Sequence, residues 1–143
     1  MGEVASGVIR PVDEGAPTGV EVHAFASTPI ADAMPNAVGY TLRQIGDEHT
    51  EQSIQVGWAL PVVVGRRGPL VFARLMFDLI AWQPRADGDR QLSALSPTLA
   101  IGFAPLALGV CLSGEVTYEL HTDQPDRVLV GAFIGLCGAD RKR

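Results

Sequence analysis

Between Ile54 and Val64 the chain sets large apolar residues at every second position. Ile54, Val56, Trp58, Leu60, Val62 and Val64 share one parity, while Gln55, Gly57, Ala59 and Pro61 share the other. A repeat of two places alternate side chains on opposite faces of a strand, so the pattern predicts a strand with one apolar face. Gly65-Arg66-Arg67-Gly68-Pro69 follows, a cluster of residues suited to reversing the chain. The segment 70–82 also fits a helix with Pro69 in its first turn and Arg74 and Asp78 paired four residues apart. Gly68-Pro69 offers no good N-cap, however, and the preceding arm needs a partner. A long β-hairpin is therefore expected at the centre of the fold.

The same alternation recurs elsewhere. Val20, Val22, Ala24 and Ala26 alternate with Glu21, His23 and Phe25, and Val38, Tyr40 and Leu42 with Gly39, Thr41 and Arg43. In 115–123, Val116, Tyr118 and Leu120 are expected to face inward, with Thr117, Glu119, His121 and Asp123 outward. Thr98–Leu112 and Val128–Cys137 are apolar on both parities, which suits strands covered on both sides. Pro105 would mark a bulge or a break into two strands. Residues 30–33 leave room for one helical turn. Residues 1–19, rich in Gly, Pro and acids, read as a flexible arm or an edge strand, and 138–143 as an exposed tail. The expectation is one all-β domain over 1–143: an antiparallel β-sandwich or barrel, jelly-roll-like, of about seven strands with at most one or two short helices.

Composition narrows the function. Charged residues make up 19% of the chain and hydrophobic ones 47%; the charged share is below the roughly 25% of a typical soluble domain. So little charge leaves apolar surface in need of a cover. The apolar residues fall in several strand-length runs, which points to a second copy of the chain. Residues 1–53 carry eight acids against two bases. No basic footprint for nucleic acid appears beyond the Arg141-Lys142-Arg143 tail.

Thr98–Leu112 raises a membrane helix, but Pro97, Gly102, Pro105 and Gly109 interrupt it, and it falls short of the ~20 residues a span needs. Arg74 and Asp78, in another apolar run, would each cost about 2.5–3.5 kcal/mol at mid-bilayer. Membrane association is thus not expected. The acidic N-terminus shows no secretory leader, and the chain reads as cytoplasmic.

Chemistry is sparsely signalled. Glu21-Val22-His23 and Glu119-Leu120-His121 each set a carboxylate beside an imidazole on one strand face. Neighbouring strands would gather them into a metal site or an acid–base pair. Such residues more often form the solvent side of a half-exposed strand, so no metal or other cofactor is expected. Arg74 and Asp78 read as a structural ion pair. Trp58, Phe72, Trp82 and Phe103 are candidates for an apolar surface or pocket. Cys111 and Cys137 each lie within an apolar run, as buried thiols do, with a cross-strand bridge open if the runs are neighbours. No catalytic motif stands out. The chain reads as a non-enzymatic, self-associating structural or interaction subunit; the alternative is a barrel holding a small apolar molecule, with an enzyme built on His and carboxylate groups as one form of it.

Overall fold

The computed structural model describes residues 1–28, 34–46, 49–65, 68–84, 90–93, 96–104, 109–120 and 125–138. Its strands are β1 (Gly2–Pro11), β2 (Gly19–Ser27), β3 (Ala37–Ile45), β4 (His49–Gly65), β5 (Gly68–Pro84), β6 (Arg90–Ser93), β7 (Pro97–Phe103), β8 (Val110–Glu119) and β9 (Arg127–Gly138). All pairings are antiparallel, in the order β4-β3-β2-β1-β9-β8-β7-β5, with β6 added on β5 and β4 returning to pair with β5. That last pairing closes the sheet on itself. The molecule is a barrel of eight strands, and closure removes the open edges a sandwich would leave.

The all-β, antiparallel expectation holds, while the sandwich, the jelly roll and the count of about seven strands give way to this ring. The described residues contain no helix, and the helical turn expected at 30–33 lies outside them. The central hairpin is as expected: Gly65 pairs with Gly68, and 70–82 is strand. The flexible arm or edge strand expected over 1–19 is largely β1, a strand paired on both sides, with β2 and with β9, and so not at an edge. A first and last strand that meet are what barrel closure requires. The Thr98–Leu112 run divides between β7 and β8, on either side of Pro105.

The main departure is the direction of the faces. On β2, Glu21, His23 and Phe25 are buried while Val20, Val22, Ala24 and Ala26 are exposed. On β3, Thr41 and Arg43 point in, and Val38, Tyr40 and Leu42 point out. On β8, Glu115, Thr117 and Glu119 are buried, and Leu112, Val116 and Tyr118 are exposed, the reverse of the expected assignment. Exposure reaches 60% at Ile101 and 70% at Leu136. The alternation was legible; its sense is inverted, with the ionisable residues inside the closed ring and most of the aliphatic ones outside. Leu79 has no residue opposite it, since Ile54 pairs with Ile80 and Gln55 with Asp78. This bulge puts Leu79 and Ile80 both outside and shifts the parity of the strand beyond it.

Apolar residues within the ring sit in separate groups. Ala5, Ile9, Ile45, Leu129 and Phe133 form one. Phe72, Ala104, Cys111 and Cys137 form a second, with Met1 against it, and Phe25, Ala37 and Met76 a third. Gly46 and Gly109 take positive φ beside β3 and β8, a conformation that a Cβ disfavours.

Candidate functional site

Charged side chains from seven strands meet in the barrel lumen. All but Arg127, at the end of β9, are buried at positions of inward parity. Two arginines act as hubs. Arg43 on β3 donates from Nε to Glu21 Oε2 at 2.7 Å and from Nη1 to Glu119 Oε1 at 2.6 Å, with Glu51 Oε1 at 3.4 Å. Arg74 on β5 donates from Nη1 to Glu3 Oε2 at 2.5 Å and from Nη2 to Glu115 Oε1 at 2.6 Å. Its guanidinium also lies over the Phe25 ring, 4.1 Å from the centroid. Arg127, near one end of β9, donates to the second oxygen of Glu119.

His23 joins the two hubs. Its Nε2 is 3.4 Å from Glu3 Oε1, and its Nδ1 is 3.4 Å from Glu21 Oε1 and 3.8 Å from Glu115 Oε1. The ring is fixed between Phe25 and Phe133, each 4.7 Å away between centroids. A network therefore runs from Arg127 through Glu119, Arg43, Glu21 and His23 to Glu3, Arg74 and Glu115. Buried charge of this density is tolerable because each carboxylate of the network finds a guanidinium or imidazole across the lumen. Other polar pairs continue the inner surface: Gln55 Nε2 donates to Asp78 Oδ1 at 2.8 Å, and the Thr98 and Thr117 hydroxyls are 2.9 Å apart.

Of the residues singled out from sequence, Glu21, His23 and Glu119 are brought into this one network, Glu119 through Arg43. His121 lies outside the described residues. Glu115 takes the place beside His23: among the described residues, Glu21, His23 and Glu115 offer ligand atoms all within 4.8 Å of one another. Arg74 and Asp78 do not pair; two positions apart on the inner face, they turn to Glu3 and Glu115 and to Gln55 respectively. Phe72 is the one pocket candidate inside the barrel. Trp58, Trp82 and Phe103 belong to the outer face, where Trp58 meets Phe77 edge-on at 6.3 Å. A shallow apolar concavity does exist on the outside, lined by Val4, Ala24, Ala26, Val38, Tyr40 and Ile54, and none of the four candidates borders it. Cys111 and Cys137 are free thiols on the neighbouring strands β8 and β9.

Glu3, Arg43, Glu51 and Glu115 escaped the sequence reading. For Arg43, Glu51 and Glu115 a signal was present, since each shares parity with other polar residues of its strand, and on 115–123 that face was read as outward. Glu3 gave none, because its parity on β1 is otherwise Ala5, Gly7, Ile9 and Pro11.

The fold is shared with a surface protein. The crystal structure of Neisserial surface protein A (NspA) matches with a TM-score of 0.57 at 18% sequence identity, over 94% of each chain. At that identity the likeness is one of fold. No protein-family model matches the chain, and no curated protein matches it. The nearly full-length likeness and the aliphatic exterior together overturn the expectation of a cytoplasmic protein. The objection raised by Arg74 and Asp78 also falls, because both charges face the lumen rather than lipid. No helix among the described residues is long and apolar enough to cross a membrane, but strands cross by another route.

Proposed function

We propose that the chain is a membrane-spanning β-barrel of the outer-membrane type, a non-enzymatic surface protein whose lumen is closed by its own charged side chains. The observation that carries this reading is the inverted alternation, with aliphatic residues outward and ionisable residues inward on strand after strand. In water that arrangement would expose the greasy side of nearly every strand. In a bilayer it is the expected one. Strands of 9 residues in β2 and β3 and 10 in β1 and β8 suit a tilted crossing, which takes about 9–11 residues. The aliphatic surplus that suggested a companion subunit is spread around the barrel rather than gathered in one patch, and lipid covers such a surface without any second copy. Fold likeness to a protein named for the cell surface supports the same placement.

Arg43 and Arg74 reach across the lumen to carboxylates on other strands, which leaves the middle of the barrel filled by ion pairs rather than by an open channel. The test is refolding from urea into phosphatidylcholine vesicles. Flotation with the vesicles, β-type circular dichroism and lipid-dependent protection from protease are the expected results. A folded chain that stays dispersed in detergent-free buffer at micromolar concentration, and does not float, would overturn the proposal.

A further inference from the structure

We propose that Glu21, His23 and Glu115 form a lumenal site for a divalent transition metal, best suited to Zn²⁺, with Glu3 orienting the imidazole from behind. The proposal goes beyond a membrane-spanning role and depends on the lumen, whatever surrounds the barrel.

The spacing is the first argument. In a tetrahedral zinc site with bonds of about 2.0–2.2 Å, neighbouring ligand atoms are about 3.3–3.5 Å apart. His23 Nδ1 is 3.4 Å from Glu21 Oε1 and 3.8 Å from Glu115 Oε1. A charged imidazolium would be expected to draw those carboxylates to about 2.7–2.9 Å. The guanidinium contacts to the same two carboxylates do close in, at 2.7 Å for Arg43 to Glu21 and 2.6 Å for Arg74 to Glu115, although Arg43 stands 3.4 Å from Glu51. The imidazole contacts stand off at a separation suited to an ion between the atoms.

The second argument is how the other atoms are committed. Arg43 Nε occupies Glu21 Oε2, which leaves Oε1 turned toward His23. Arg74 takes one lone pair of Glu115 Oε1, and a carboxylate oxygen has a second to give. On the far side of the ring, Nε2 faces Glu3 Oε1 at 3.4 Å. A proton on Nε2 would point at that carboxylate and leave Nδ1 as the free donor, the orienting arrangement usual behind a metal-bound histidine. Glu3 is in turn held by Arg74. Three carboxylates thus surround the ring, while Arg74 is divided between two of them and Arg43 between Glu21, Glu51 and Glu119. The group is short of positive charge where the three ligand atoms converge. Three protein ligands leave a fourth position for water.

The test is to refold the full chain in detergent with Co²⁺ or Zn²⁺, remove loose ion by gel filtration and measure bound metal by mass spectrometry. One ion per chain is expected, and the Co²⁺ form should show the visible absorption of a four-coordinate site. His23→Gln and Glu115→Gln should each lower affinity at least tenfold, and Glu3→Gln by roughly 10–100-fold through the ring's orientation. Circular dichroism and heat-dependent gel mobility confirm the barrel in every sample, so a folding failure is not mistaken for a binding failure. A correctly folded wild-type barrel that retains no ion overturns the proposal, as does unchanged binding in folded His23→Gln. Flotation on vesicles is read separately and decides only the membrane placement.

Discussion

On β8 the two faces of one strand answer to different rules. Leu112, Val116 and Tyr118 point outward, and Cys111, Ser113, Glu115, Thr117 and Glu119 point inward, from the same ten residues. The outer face needs no particular neighbour. On the proposed membrane-facing surface, any aliphatic side chain of moderate size would satisfy it, and a charge would not. The inner face is the opposite: Glu115 requires Arg74 and Glu119 requires Arg43, since a lone buried charge is far costlier than a paired one. Positions on the outside are thus specified by class, and those on the inside by partner.

The strongest consequence concerns the hub. Arg43→Met leaves Glu21, Glu51 and Glu119 without the guanidinium they share, and breaking a buried pair from one side costs about 3–5 kcal/mol. Urea titration of the barrel in vesicles should register that loss. Adding Glu21→Gln should recover part of it, because one of the carboxylates that lost Arg43 goes with the arginine, while Glu119 keeps Arg127. A single Arg43→Met variant as stable as the parent would mean that the inner face is not partner-specified.

Val22, near the middle of β2, gives the outer counterpart. In lipid, Val22→Arg should cost about 2–4 kcal/mol. On a water-facing surface the same change would stay within about 0.5 kcal/mol. The size of the effect therefore reads the surroundings of the outer face directly. Refolding yield and urea midpoint in vesicles supply it, with Val22→Leu as the neutral control.

This division explains which parts of the molecule could be read from residues alone. The period of two gave the strands, the hairpin at Gly65–Gly68 and the antiparallel class, because a strand's faces are written locally. Which face is inside is not written locally. Val20, Glu21, Val22 and His23 alternate in the same way whether the aliphatic side meets a core or a lipid tail. Only the ring as a whole decides, and Gly2–Pro11, read as a flexible arm or edge strand, has neighbours on both sides because β9 closes against it. Glu21 and His23 were legible as neighbours, two apart on one face. Glu115, Glu3 and the two arginines reach them from other strands at sequence separations no local pattern reports. One clue did bear on the aliphatic exterior: a charged share below that of a typical soluble domain. Read with only a helical span in view, it pointed to a second subunit.

Packing separates the faces on a smaller scale. A Cβ on Gly102, which points inward, would run into the buried ring of Phe72. Gly102→Ala should destabilise by about 1–3 kcal/mol as that ring is forced to shift. On the outer face, a Cβ at Gly114 meets nothing nearer than the Gly131 carbonyl oxygen at 3.9 Å. Gly114→Ala should be neutral or gain about 0.4–1 kcal/mol by restricting the unfolded chain. Equal losses at both positions would show that crowding is general to the wall rather than a property of the lumen.

The mildest effect isolates partnership from burial. Thr98 and Thr117 face each other across β7 and β8 with their hydroxyls 2.9 Å apart, and both are buried. Thr117→Val keeps the shape and removes one hydroxyl, leaving the other without its partner, at a cost of about 1 kcal/mol. Replacing both threonines by valine removes the orphan as well, so the double variant should be nearly as stable as the parent, and a mutant cycle should return a coupling of about the same size. Tyr118, next in sequence but outward, hydrogen-bonds Asp126 at 3.1 Å in an exposed position. Tyr118→Phe should change stability by less than Thr117→Val, because at an exposed site solvent or headgroups can replace the lost partner. If the double valine variant is instead as damaged as the single, the inner surface depends on polarity itself rather than on matched pairs, and the distinction between the two faces of the wall loses its physical basis.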